Sequence, residues 1–332
     1  MLTDSVSTTS TTPGVQRQQR LVLVIAVLAS FVAFLDSSVI NVALPAISTE
    51  LGGGLSTQQW VVDAYLITLS SLILLAGSLS DVFGRVVVLR VRLIAFGVSS
   101  LLIAISPSAE FLIILRGVQG IAGALLVPSS LALIISTFRG PAQAKAIGLW
   151  TAWTSASFLA GPILGGVFVD YLSWRWVFVI NVLPIAIALW LLIVLKQRDV
   201  REQGVRIDYL GAALGVVGLG GPVFALIEQG NYGWGSPAIF LPFGIGILSL
   251  VAFILWERRA KQPMLPLGIF AVRNFAWGNV ATVFIYAALS IGGFILVVFL
   301  QQVAGYPATL AALAMLPVSF GNIFLSGVFG SL

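Results

Sequence analysis

The sequence predicts an all-α polytopic membrane protein with ten membrane-spanning helices. Three observations carry that expectation. Of 332 residues, 59% are hydrophobic and only 9% charged, where soluble domains carry roughly 25% charged residues; the mean hydropathy is +1.06. The apolar residues gather into ten runs, each long enough for the ~20 residues a bilayer core demands. The basic residues fall in alternate connecting segments, as they do when a topology is fixed by charge. Cysteine and histidine are both absent, which removes disulfide frameworks, thiolate catalysis, imidazole bases and the usual zinc ligands. No metal site and no enzyme is expected.

Residues 1–20 are rich in Ser and Thr, with Arg17, Arg20 and no apolar periodicity, and read as a disordered cytoplasmic tail. The first span follows from Leu21 to about Ile47. It is too long for the apolar core of a signal peptide and has no small-residue cleavage site, so it stays as a helix. Further spans are expected at about 58–79, 87–106, 111–136, 145–169 and 175–195, which completes an N-terminal six-helix unit over 21–195. A charged cytoplasmic linker at 196–208 separates it from two spans within 209–256, at 209–228 and 237–256. The last two, at 274–300 and 308–330, fall within 257–332. That final run ends with no basic flank, so a truncated protein is expected, the alternative being a natural ten-helix protein.

With the N-terminus cytoplasmic, the inner segments hold Arg17 and Arg20; Arg85, Arg90 and Arg92; Arg139 and Lys145; Lys196, Arg198, Arg201 and Arg206; and Arg258, Arg259, Lys261 and Arg273. That is fifteen of the 17 basic residues. Only Arg175 falls outside, and Arg116 lies within a span. The net charge of +5 is therefore topological, spread over five short segments, and argues against a nucleic-acid partner.

Three charges lie where lipid would reject them. Asp36, in FLDSSVINVALP, is ~24 Å along the first helix from Arg20. Asp63 sits near the outer third of the second span, in WVVDAYLITLS. Arg116, in LIILRGVQGIAG, is ~9 Å inside the fourth. A charge at the bilayer centre costs at least ~2.5–3.5 kcal/mol, so these groups must face a polar cavity or each other. They are candidates for proton coupling, with Asp36 or Asp63 as the carboxylate and Arg116 tuning it; the alternative is a structural ion pair. Asn41 and Gln119, on the same helices, are candidate substrate-cavity groups or cross-helix hydrogen-bonders.

The turn GSLSDVFGRVVVL between the second and third spans places Gly77 and Gly84 around Asp81 and Arg85. The glycines permit a tight turn, while Asp81 and Arg85 are spaced to pair or to cap helix ends, as a conformational latch would. In the fifth span, GLWTAWTSASFLAGPILGG, Ser157, Gly161 and Gly165 recur every four residues and share a helix face that admits a neighbouring backbone. Pro162 follows Gly161, lacks an amide hydrogen and interrupts the ladder. Trp60, Trp174, Trp176 and Trp234 fall near outer interfaces, where aromatic belts are expected.

Four of these runs together resemble the major facilitator superfamily. Gly77–Leu89 resembles its helix 2–3 signature, G-x-L-a-D-r-x-G-r-k-x-x-l. Leu112, Arg116, Gln119 and Gly120 resemble the helix 4 signature, l-x-x-x-R-x-x-q-G. LDSSVINVALP looks like the helix 1 signature of the drug:proton antiporters. Gly148, Ser157, Gly161, Pro162 and Gly165, with Gly166 beyond, look like their helix 5 signature, G-x8-G-x3-G-P-x2-G. SWRWVFVINVLP at 173–184 and DYLGAALGVVGLGG at 208–221 are similar to the fourteen-helix exporters, whose two extra helices separate the six-helix halves. FLQQVAGYPATLAALAMLP at 299–317 looks like the start of their second half. Positions 82 and 86 are Val where the family is often basic, Ser157 replaces the middle glycine, and Ala312 takes a site that is often glycine.

The resemblance implies a major facilitator-type bundle of fourteen helices, about ten of them present. It implies a proton-coupled antiporter exporting drugs or other amphipathic small molecules across the cytoplasmic (inner) membrane. The chain would be multi-pass and monomeric, with protons, substrate and lipid as its partners. It would use no cofactor beyond the proton gradient. The alternatives are uptake of a nutrient or organic anion on the same fold, or a fragment that does not transport.

Overall fold

A computed structural model describes residues 13–195 and 207–317. Most of the expected tail, residues 196–206 of the linker, and the tenth span beyond residue 317 lie outside the described residues. Within them the secondary structure is helical: α1 (Pro13–Leu51), α2 (Gly54–Ile73), α3 (Ala76–Phe83), α4 (Arg85–Ala104), α5 (Ala109–Gly123), α6 (Leu126–Thr137), α7 (Gly140–Tyr171), α8 (Trp176–Val179), α9 (Val182–Leu195), α10 (Tyr209–Tyr232), α11 (Pro237–Glu257), α12 (Arg273–Val298) and α13 (Ala308–Ala314).

Eight helical stretches among the described residues are long and apolar enough to cross a membrane. Neither α2 nor α13 is among them. The first turns of α2 carry Ser56, Thr57, Gln58, Gln59 and Asp63, and α13 is seven residues long. Three expected spans are each built from two segments. The second breaks at Leu74–Leu75 between α2 and α3, the fourth at Ala124–Leu125 between α5 and α6, and the sixth at Ile180–Asn181 between α8 and α9.

The first helix corrects the expected tail, because residues 13–20 are already helical. Pro13 occupies the first helical position, where its missing amide hydrogen costs nothing, and the Gln and Arg residues that follow favour helix. At its other end, α1 stops at three consecutive glycines. Gly52, Gly53 and Gly54 take φ of 83°, 79° and 54°, a left-handed stretch that side chains with a Cβ rarely adopt.

The expected turn at 77–89 is also narrower than its two glycines suggested. Gly77 lies inside α3, and the reversal is made at Gly84 alone, φ 94° and ψ 139°. One residue in a conformation open to glycine suffices, so Gly77 remains helical.

The first helix is the axis of the N-terminal part, packing on α2, α6, α7 and α9. The two largest apolar clusters follow one another along it. One takes Val22 to Ala33 of α1 with residues such as Leu93, Phe96, Leu126 and Ile185. The other takes Val39 to Ile47 with Val61, Leu112, Val177 and Phe178. Asp36 lies between the two along α1. At the end of α1, Glu50 accepts from Trp174 Nε1 at 2.7 Å and from Arg175 Nη1 at 2.7 Å. Trp174 is therefore buried, at 3% exposure, rather than part of an aromatic belt.

The hairpin of α10 and α11 is drawn together by glycine. A Cβ on Gly221 would overlap Pro242 O, and one on Gly246 would overlap the Pro222 ring. The hairpin docks on α2, where Glu228 accepts from Ser56 Oγ at 2.9 Å and Trp60 Nε1 at 2.7 Å. Trp60 thus has a specific partner as well. The turn of π-helix at Phe299–Val303 ends α12, and Gln301 within it donates to Val42 O of α1 at 3.0 Å.

Candidate functional site

Asp36 and Arg116 meet across the gap between the two apolar clusters. Arg116 Nη1 lies 2.6 Å from Asp36 Oδ2, and the side chains are 1% and 0% exposed. The same guanidinium donates through Nε to Val61 O at 2.9 Å and through Nη1 to Gln119 Oε1 at 2.7 Å. The other carboxylate oxygen, Asp36 Oδ1, accepts from Gln119 Nε2 at 3.2 Å and from Asn181 Nδ2 at 2.9 Å. Ser100 Oγ accepts from Gln119 Nε2 at 2.8 Å and from Asn181 Nδ2 at 3.4 Å. Tyr65 lies flat against the cation, with its ring centroid 4.4 Å from Arg116 Cζ.

Local sequence explains how this layer assembles. Arg116, Gln119 and Gly120 fall within five consecutive residues of α5, at i, i+3 and i+4, so one face carries the guanidinium, an amide and a gap. A Cβ on Gly120 would overlap Thr68 Oγ1 and Tyr65 O. The glycine lets α2 approach closely enough for Thr68 Oγ1 to donate to Gly117 O at 2.8 Å. That approach places Val61 O and the Tyr65 ring at Arg116. Asn181 reaches Asp36 from the break between α8 and α9.

Asp63 does not join this layer. Positions 61 and 65 of α2 face Arg116, and residue 63 points roughly 200° around the helix from position 61. It is half-buried and forms no ion pair among the described residues. Asn41 also stays apart: its Nδ2 lies 3.4 Å from Ser37 O in its own helix. Of the five candidates for coupling and substrate, the structure thus brings together Asp36, Arg116 and Gln119. It adds Asn181, Ser100 and Tyr65, which the sequence reading did not single out.

Around Gly84, Arg85 Nη2 and Asp81 Oδ1 are 3.9 Å apart, with both side chains about a third exposed. The pair is real in geometry and weak in energy, since exposed pairs are worth about 0–1 kcal/mol.

The small-residue face of α7 lies against α1. Ser38 Oγ donates to Ser157 O at 3.1 Å. A Cβ on Gly161 would overlap Ser38 Oγ, and one on Gly165 would come within 2.9 Å of both Val39 Cγ2 and Val39 O. The helix continues through Pro162 to Tyr171, so the interruption at the proline does not end the element. Gly166 faces elsewhere: a Cβ there would be 2.6 Å from Thr309 Cα at the start of α13. One turn on, Asp170 accepts from Ala308 N at 2.9 Å and Thr309 N at 2.7 Å. Gly148 meets nothing within 4 Å. The chemistry available in the site is therefore a caged ion pair beside a tight helix contact. No cluster of acidic or sulfur ligands suited to a metal occurs among the described residues.

The profile of the Major Facilitator Superfamily matches residues 26–332. The chain is 36% identical over 312 residues to the puromycin resistance protein pur8 of Streptomyces alboniger, an alignment covering 93% of this chain and 61% of that protein. It is 36% identical over 298 residues to the methylenomycin A resistance protein of Bacillus subtilis, covering 90% and 64%. It is 34% identical over 316 residues to the multidrug export protein EmrB of Escherichia coli, covering 94% and 62%. The chain thus spans just over three fifths of the length of these relatives. A crystal structure of a mutant peptide transporter POT with sulfate superposes with a TM-score of 0.65 at 14% identity, covering 93% of this chain and 67% of that one. That likeness concerns the fold.

Proposed function

The chain belongs to the Major Facilitator Superfamily, and from that membership we propose that the protein is a proton-coupled antiporter exporting drugs or other amphipathic small molecules by alternating access. The observation that carries the coupling is the caged carboxylate. Asp36 is fully buried within an apolar helix and receives donors from Arg116, Gln119 and Asn181, an arrangement suited to an ionised acceptor. A proton arriving there turns one accepting oxygen into a donor. Arg116 then loses its charged acceptor at Nη1 and keeps only Gln119 Oε1, through Nη1, and Val61 O, through Nε, which loosens the contact between α1 and α5. Return of the proton to the other side restores the pair.

Export is favoured by the α7 face and by the relatives, which are named for resistance and export. The distribution of basic residues supports a cytoplasmic N-terminus in a plasma (inner) membrane. The proton gradient is the energy source on this reading, and a monomer is the working unit. Gly84, with the Asp81–Arg85 pair, would act as the latch between α3 and α4.

The test is ethidium accumulation in cells producing the protein. We expect less dye than in control cells, with the difference abolished by a protonophore and by Asp36→Asn. Export that persists in the Asn variant would remove Asp36 from the coupling, and faster dye entry would replace export by uptake.

A further inference from the structure

We propose that Asp208 and Glu257 share a single proton, forming a second proton-binding site at the base of the α10–α11 hairpin. It is separate from Asp36 and does not depend on the transport reading.

The antiparallel hairpin brings the start of α10 to the end of α11. Asp208 caps α10, its Oδ1 accepting from Gly211 N at 2.9 Å, and both of its oxygens lie 2.9 Å from Trp256 Nε1. Next to Trp256, Glu257 is only 3% exposed. Its Oε2 accepts from Leu265 N at 2.9 Å. Its Oε1 is buried and has no hydrogen-bond partner among the described residues.

That orphan oxygen borders the same space as the other carboxyl. A Cβ on Gly211 would stand 2.6 Å from Asp208 Oδ2 and 2.9 Å from Glu257 Oε1, so both oxygens converge on the space that glycine leaves empty. Two carboxylates placed together, one of them buried, cannot both stay ionised without a cation. Among the described residues none is paired with them: the ion pairs there all lie elsewhere, and Arg258, Arg259 and Lys261 are exposed. The other helix packed on α10 is α2, whose one carboxylate, Asp63, lies about two turns from Ser71, near Gly215.

A proton taken from water onto Glu257 Oε1 resolves the arrangement. It gives the orphan atom a role as donor to Asp208 Oδ2, in a short charge-assisted bond, and leaves the pair with one negative charge. Loss of that proton sets two carboxylates against each other. The repulsion acts on the hairpin and on the following segment, which Leu265 N ties to Glu257. The site therefore reads the pH on the side of the membrane where α10 begins.

The experiment is infrared spectroscopy of the purified protein in lipid, with difference spectra between neutral and alkaline pH. Wild type should show a protonated-carboxyl band at neutral pH that is lost on alkalinisation. Glu257→Gln and Asp208→Asn should each remove it, while Glu110→Gln, at an exposed position, should leave it in place. Glu257→Gln keeps shape and supplies a fixed donor, so its melting temperature should also lose the alkaline fall seen in wild type. A band that survives either substitution in an Asp36→Asn background overturns the sharing, as does wild type without such a band. If neither variant can be purified, wild type melting identically at neutral and alkaline pH overturns it too.

Discussion

Arg116 holds its neighbours by shape as much as by charge. Its Nε reaches one carbonyl while Nη1 is divided between a carboxylate and an amide oxygen, a fork that the single ammonium of lysine cannot copy. We therefore expect Arg116→Lys to lose dye efflux along with Arg116→Ala. Alanine also leaves Asp36 buried without its cation, at a cost of about 3–5 kcal/mol. Asn181→Ala removes one of two donors to Asp36 Oδ1 and should cost about 1–3 kcal/mol. Thermal unfolding in detergent checks the order: Asn181→Ala below wild type, Arg116→Ala lower still. An Asn181→Ala protein as stable as wild type would mean that Gln119 alone satisfies Oδ1. The charged members of this layer were legible in the sequence because a charge inside an apolar run has few bland explanations. Asn181, Ser100 and Tyr65 were not, since uncharged polar and aromatic side chains occur throughout such helices. Only the break after α8 and the close approach of α2 reveal which of them face Asp36.

Among the elements, α7 offers its own internal control. Gly161 and Gly165 stand where a Cβ meets α1, whereas Gly148 meets nothing. Gly148→Ala should be neutral or stabilising by about 0.5–1 kcal/mol, because glycine in a helix interior costs that much against alanine. Gly161→Ala and Gly165→Ala should each be destabilising by about 1–3 kcal/mol through overpacking. Ser157 separates the two causes further. Its carbonyl accepts from Ser38, while its own Oγ bonds Thr154 O at 2.6 Å within α7. Ser157→Gly keeps the cross-helix bond and should retain efflux; Ser157→Leu, at a position with no exposure, should abolish it. Melting curves and dye efflux on the five variants check the pattern, and a tolerated leucine would reduce this face to ordinary packing. The four-residue spacing of small residues announced such a contact, but not its partner. Spacing fixes which residues share a face and is silent on the helix opposite, so the pairing of Gly166 with α13 rather than α1 emerged only in three dimensions.

At the scale of the molecule, α7 is also where the N-terminal bundle meets the helices that follow the hairpin. Gly166 admits the backbone of Thr309, and Asp170 accepts both Ala308 N and Thr309 N. Backbone amides in the first turn of a helix have no partner within it, so this carboxylate caps α13 from another part of the chain. Asp170 carried no sign of that role in the sequence, where it looks like any acid at a helix end. Removing a side-chain cap costs about 0.5–2 kcal/mol; here the loss falls on the contact between the two parts instead of on one helix. At about 1.4 kcal/mol the ratio of joined to separated forms changes roughly ten-fold. The absence of cysteine makes this measurable, because two introduced thiols are then the sole labelling sites. Tyr171 and Tyr306, exposed at 76% and 48%, flank the contact. Spin labels at Tyr171→Cys and Tyr306→Cys should report one narrow distance in the parent protein. Adding Asp170→Ala should populate a second, longer distance, and Asp170→Glu, which keeps the acceptor, should restore much of the first. An unchanged distribution in the alanine variant would leave the glycine contact at Gly166 as sufficient to hold α13 on α7.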